Sequence, residues 1–367
     1  MALTAGIVGL PNVGKSTLFN AITKAGVEAA NYPFATIEPN VGRVEIFDAR
    51  LKRITELINP KKTVPTTFEF TDIAGILKGA SKGEGLGNKF LANIREVDAI
   101  VHVIRVFDDE NITHVRGCVN PLEDIETINL ELILADLESI NKRYVRIEKM
   151  AKTKDKDAAF EFAILQKIKP VLEAGYSAQS ITFTEEEKAV VKRLFLLTIK
   201  PVIYVANVAE DQIKEADSLN YVQQICEFAQ KEKTDMVVIS ARVEEEIAGL
   251  DEEEEKQEFL EALGLAESGL NQLTKTVYHL LGLSTYFTAG KKEVRAWTFR
   301  RGMKAPQAAG IIHSDFERGF IRVETISFED LDKYGSYQVV KENGRLRLEG
   351  KDYVVQDGDI MEFRFNV

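Results

Sequence analysis

Apolar positions in the first two thirds of the chain fall into short runs separated by turn signals, at residues 3–8, 41–47, 68–71, 99–104, 202–206 and 237–239. Most of these runs are unbroken. That texture predicts strands covered on both faces, as in a mostly parallel sheet flanked by helices. Between 104 and 202 the period changes. Leu130, Ile133, Leu137, Ile140, Tyr144 and Ile147 step by three and four, the spacing of an apolar helical stripe. Phe160, Ile164, Ile168 and Val171 suggest a second helix, and Thr184 with Glu187 forms the capping box of a third. The stripe allows two placements: an inserted helical arm over 129–199, in the manner of an antiparallel coiled coil, or a helix laid on the sheet.

From residue 284 short strands and turns dominate. Runs at 293–299 and 319–324 precede a final segment in which Met361, Phe363, Phe365 and Val367 alternate with Glu362, Arg364 and Asn366. Alternation predicts a sheet with one buried and one wet face. The expected organisation is an α/β domain over 1–128 and 200–283, the helical arm over 129–199, and a small α+β unit over 284–367.

Composition narrows the setting. A chain of 367 residues with 45% apolar content exceeds one domain. Cys118 and Cys226 lie too far apart in sequence to suggest a disulfide framework or metal-ligand spacing, which fits a reducing compartment. The first apolar run lacks a basic leader and is expected to be a strand, not a signal peptide. No run approaches a membrane span, so the expectation is a cytoplasmic protein with no membrane partner. A net charge of −11 argues against a surface that coats nucleic acid throughout. The acid run at 244–258 reads as solvated surface, whereas base concentrates at 142–156 and 291–304.

The chemistry lies next to the first strand. Gly9-Leu10-Pro11-Asn12-Val13-Gly14-Lys15-Ser16-Thr17 fits the phosphate-loop pattern, and a helical stretch follows it. In such a loop, glycines let backbone N–H groups wrap a polyphosphate at a helix N-terminus. Asn12, Val13, Gly14, Lys15, Ser16 and Thr17 are thus the candidate cradle. Lys15 supplies charge, and Ser16 offers a hydroxyl to Mg²⁺. Asp72, ending an apolar run, and Gly75 repeat the Asp-x-x-Gly of phosphate-loop hydrolases, in which the acid reaches Mg²⁺ and the glycine N–H meets the γ-phosphate. Thr36 in the loop Asn31-Tyr32-Pro33-Phe34-Ala35-Thr36-Ile37 is the third candidate around Mg²⁺. A glycine-rich stretch at 79–88 reads as a moving segment or a linker.

Together with Asn207-Val208-Ala209-Glu210, these motifs resemble the Obg branch of translation-factor-class P-loop NTPases, and in particular the YchF-type Obg-like ATPases. The resemblance runs over essentially the whole chain. It implies a helical insertion and a C-terminal TGS domain of β-grasp fold. Two departures from ordinary GTPases bear on chemistry. Guanine readers use Asn-Lys-x-Asp, but here Val208 replaces the lysine and Glu210 lengthens the acid, so guanine preference is expected to weaken. Asn207, Val208, Glu210, Ser240 and Ala241 are the candidate base contacts, with ATP preferred and GTP weaker, as the resemblance also implies. Ile76 stands where Ras-like enzymes hold a water-orienting Gln, so hydrolysis is expected to be slow. His114 is either a solvated loop histidine or, as the family implies, a catalytic group beside Lys15 and Gly75. Asn12 is either a turn former or, by resemblance, a K⁺ ligand.

The expected function is an Mg²⁺-dependent, slowly hydrolysing ATP switch. By resemblance it associates with the ribosome, chiefly the large subunit, and contacts RNA through the basic segments of arm and TGS domain. The alternatives are a GTPase of ribosome assembly or translation, and a nucleotide-regulated RNA- or ribosome-binding protein with vestigial hydrolysis.

Overall fold

The computed structural model describes residues 3–26, 40–73, 86–109, 118–153 and 155–366, with backbone alone at 86–89. Its strands are β1 (Thr4–Val8), β2 (Val41–Glu45), β3 (Thr63–Val64), β4 (Thr67–Asp72), β5 (Ala99–Arg105), β6 (Val202–Asn207), β7 (Met236–Ile239), β8 (Leu283–Ala289), β9 (Val294–Arg300), β10 (Phe320–Ser327), β11 (Arg347–Glu349) and β12 (Asp359–Phe365). Two compact units emerge, Met1–Arg43 with Glu69–Gln272, and Val44–Phe68 with Leu273–Val367.

The first unit is built on a six-stranded sheet of order β2-β4-β1-β5-β6-β7. Pairings β1–β4, β1–β5, β5–β6 and β6–β7 are all parallel. All seven residues of β5 are buried, as an unbroken apolar run requires of a central strand. The register sets Ile7 beside Asp72 and Arg105 beside Asn207, so several strands end at one edge. In open α/β sheets that carboxyl edge is where ligands bind.

The helical stretch has its own core. Helix Pro121–Ala151 begins in the first unit's core, where Ile125 packs with Ile104 and Tyr204. It then runs outward, and Ile133, Ile140 and Ile147 close against Ile164, Leu165, Ile168 and Leu172 of helix Lys156–Glu173. Of the two placements the stripe allowed, the arm is the one observed. Three stripe positions differ from expectation. Leu130 is 50% exposed, Phe160 is exposed, and Leu172 takes the buried place assigned to Val171. The expected boundary at 129 falls inside a continuous helix. Thr184 and Glu187 form the capping box that their spacing predicted.

The second unit carries a sheet of order β11-β10-β12-β8-β9-β3. Antiparallel pairs β8–β9 and β10–β12 flank the parallel pair β12–β8. A core lies on each side of this sheet, and in its terminal strand the expected alternation holds over 361–364, where Met361 is buried and Glu362 and Arg364 are exposed. Leu51, Ile54, Phe287, Ala296 and Ile360 form one core, and Tyr286, Phe299, Ala308, Val323 and Met361 form the other. The sequence-based boundaries also miss a segment, because helix Ala49–Ile58 and β3 belong to this unit. β3 pairs with β9, and Arg50 binds Asp48 and Asp357 at 2.8 Å each. Among the described residues no helix is long and apolar enough to cross a membrane.

Candidate nucleotide-binding site

The loop leaving β1 is shaped by two left-handed residues, Asn12 at φ 63° and Gly14 at φ 97°. A Cβ at position 14 would overlap Asn207 Nδ2, so only glycine lets the loop approach the strand beside it. Gly14 is the N-cap of helix Lys15–Lys24, which has no side-chain cap and no acid in its first turn. Its leading N–H groups and positive dipole end are therefore directed at the cavity, the arrangement that favours an anion.

Lys15 is only 8% exposed. Its ammonium donates to the carbonyl oxygens of Gly9 and Leu10 at 3.0 and 2.6 Å. Burial lowers its pKa to about 8 while Asp72 opposes the shift. The same pair acts on Asp72, whose carboxyl is raised by burial and lowered by Lys15. Beneath the loop, buried His102 is pushed down to about 3 by burial first and Lys15 second, and so stays neutral.

Asn207, at the end of β6, is 3% exposed. Its Nδ2 donates to Val13 O at 2.8 Å, and its Oδ1 accepts from the Ala241 N–H at 2.9 Å. The side chain ties the phosphate loop to the Ser240-Ala241 turn, a different use from the adenine contact expected of it. Buried Ser240 Oγ has no hydrogen-bond partner among the described residues. Glu210 is exposed, and its carboxylate lies 3.6 Å from the Arg242 guanidinium.

Gly14, Lys15, Asn207, Ser240 and Glu210 line one cavity of about 1010 Å³, whereas Asp72 and His102 are not part of its lining. Its lining includes Asn12, Gly14, Lys15, Ser16 and Thr17 of the phosphate loop and helix start, and Asn207, Val208, Glu210, Ser240 and Ala241 of the two turns beside it. The structure thus brings together the candidate cradle and the candidate base contacts. Val13 sits behind the cradle with its side chain buried. Thr36, Gly75, Ile76 and His114 lie outside the described residues, as does most of the glycine-rich stretch. Ser16 lines the cavity and Asp72 carries a half-buried carboxylate; a hydroxyl and a carboxylate are oxygen donors of the kind that suit a hard divalent cation shared with phosphate.

Comparison with known proteins agrees with this architecture. Residues 4–158 match a family described as 50S ribosome-binding GTPase, and residues 283–366 match the YchF-GTPase C-terminal family, described as a protein of unknown function. The chain is 66% identical to the Ribosome-binding ATPase YchF of Bacillus subtilis and 56% identical to that of Escherichia coli O157:H7, over all of each chain. The chain belongs to the YchF family. A solved YchF GTPase from Schizosaccharomyces pombe superposes with a TM-score of 0.89 at 39% identity, covering 99% of this chain and 97% of the other.

Within this YchF member, sequence reasoning overlooked Phe107, Asp108 and Asp109, which line the cavity just past β5. Their signal was positional, because they directly follow a central strand at its carboxyl end. The basic segments are partly engaged within the protein. Lys142 and Lys152 pair with Glu138 and Glu148, and Arg143 pairs with Glu161. In the other segment Lys304 pairs with Asp352, Lys291 donates to Ile58 O, and the Arg295 guanidinium lies 4.4 Å from the centre of the Trp297 ring. Glu244, expected to be solvated, is buried, and its carboxylate accepts from the Gly269 and Leu270 N–H groups.

Proposed function

We propose that this YchF protein is an Mg²⁺-dependent ATPase whose nucleotide state governs association with the ribosome. The observation that carries the reading is the single cavity joining an anion-directed helix end to a base pocket without a guanine reader. Lys15 and the loop N–H groups hold the β- and γ-phosphates, and Ser16 and Asp72 hold Mg²⁺, with Thr36 assigned beside them by its motif. Held there, the cation would supply neutralisation of the charge building on the phosphate oxygens. Water attacks the γ-phosphorus, the bond to the bridging oxygen breaks, and ADP and phosphate leave. Gly75 and His114 are assigned to the γ-phosphate end by sequence. Ile76 cannot orient water, which fits slow turnover. Asn12, at the cavity edge in a left-handed conformation, is assigned to K⁺.

Base choice follows from what surrounds the purine. Val208 offers an apolar face where guanine readers place lysine. Glu210 is drawn to Arg242, which leaves it poorly placed to accept from the guanine N1–H and N2 amino groups. Ser240 Oγ and backbone carbonyls remain for adenine, whereas buried guanine donors without partners would cost about 1–3 kcal/mol each. The relatives' names divide on this point, ATPase in two bacteria and GTPase in Schizosaccharomyces pombe. The partner reading rests on the bacterial relatives' name and on the arm and second-unit basic segments, where exposed side chains such as Arg146, Lys149, Lys292 and Arg300 can meet phosphate. The large subunit is the assigned target, and the compartment is the cytoplasm. Sedimentation with purified large subunits at low salt tests it: retention with ATP and release with ADP is expected, and no retention in either state overturns it.

A further inference from the structure

Arg105, a residue only 2% exposed, ends β5, although the strand around it is apolar. Burying such a group costs several kcal/mol unless its donors are answered. Here Nε donates to Phe107 O at 2.9 Å and an Nη donates to Asp109 O at 3.4 Å, while the cation lies 4.6 Å from the centre of the Phe107 ring. One side chain thus grips both the backbone and the ring of the segment that follows it. That segment is a wall of the nucleotide cavity. Phe107, Asp108 and Asp109 all line it, and the Val106 N–H donates to Asn207 O at 2.9 Å, which sets the wall beside Val208 at the base end.

We infer that Arg105 is a positioning residue for purine recognition, holding Phe107 and its neighbours as a preformed apolar wall against which the base packs. The guanidinium is suited to this because its donors have fixed directions and its flat cation lies against the Phe107 ring while Nε and an Nη reach two carbonyls, a combination of plane and fork that a point-charge ammonium lacks. Cation–π contact adds a restraint on the ring. The inference rests on the nucleotide site proposed above but not on which purine it prefers.

The test uses the full chain, Mg²⁺, and three probes: ATP, GTP and inorganic tripolyphosphate. Arg105→Lys and Arg105→Met are expected to weaken ATP and GTP by about tenfold, with tripolyphosphate affinity unchanged because the phosphate loop is untouched. In a Phe107→Ala background, Arg105→Lys is expected to add little further loss. Should Arg105→Met fail to fold, Arg105→Lys carries the comparison. Equal losses for tripolyphosphate and nucleotides, unchanged ATP affinity, or full additivity with Phe107→Ala would each overturn the inference. A parent chain that prefers GTP would instead remove the ATP reading and leave this one standing.

Discussion

Asn207 Nδ2 donates to the carbonyl oxygen of Val13 at 2.8 Å, which joins the end of β6 to the middle of the phosphate loop. The other end of the same amide accepts from the Ala241 N–H. Two loops separated by over two hundred residues are thus held in register by one buried side chain. Replacing it with Ala leaves a buried carbonyl and a buried N–H unanswered, at about 1–3 kcal/mol each. Asn207→Ala is therefore expected to weaken ATP and GTP alike, by tenfold or more on that scale. Isothermal titration with both nucleotides checks this. A loss confined to ATP would mean that Asn207 reads the base.

Lys15 gives the site a pH dependence. Its ammonium begins to lose its proton near pH 8 in the free protein, because burial disfavours the charge. A bound triphosphate favours the charged form, so above that pH nucleotide must bind together with a proton. Affinity is expected to fall by about tenfold per pH unit above 8. Calorimetry at pH 9 in buffers of different ionisation enthalpy should detect proton uptake approaching one per site; uptake near zero would contradict it.

The arm is fastened at its root by Asp136, a fully buried carboxylate. It accepts from the N–H groups of Leu197 and Thr198 and from the Thr198 hydroxyl, at 2.8 to 2.9 Å. Asp136→Ala removes three answers at once and is expected to destabilise the fold by about 3 kcal/mol or more. Chemical denaturation reads the loss, while ATP affinity of the folded protein should not change.

His102 makes the first unit acid-sensitive. The unfolded imidazole takes up a proton near pH 6.5 and the folded one only near 3, so falling pH across that window favours the unfolded chain. The loss should reach on the order of 2 kcal/mol by pH 5. His102→Leu is expected to flatten this limb, seen as a smaller shift of the melting temperature between pH 7 and 5. An identical shift in both proteins would place the acid sensitivity elsewhere.

The phosphate loop, the central strands and the Thr184 capping box were legible because each depends on residues close in sequence. Glycine at 14, the unbroken run of β5 and the Thr184–Glu187 spacing carry their own geometry. The second unit's claim on residues 44–68 was not legible. β3 is two residues long, and its partner in β9 lies far along the sequence, Thr63 against Val294. No local pattern encodes such a partner. Glu244 misled for a related reason: in an acid run it reads as solvated, yet its carboxylate answers two N–H groups at the start of helix Gly269–Leu280. At the base end, Val208 and Glu210 were found by motif, whereas Arg105 and Phe107 became visible only when β5 and β6 were laid side by side.

The most direct test of the account is a pair of calorimetric titrations, ATP and GTP into the same protein with Mg²⁺ at pH 7. Tighter binding of ATP is the result the base pocket requires. Tighter binding of GTP, or no heat from either nucleotide, would contradict it.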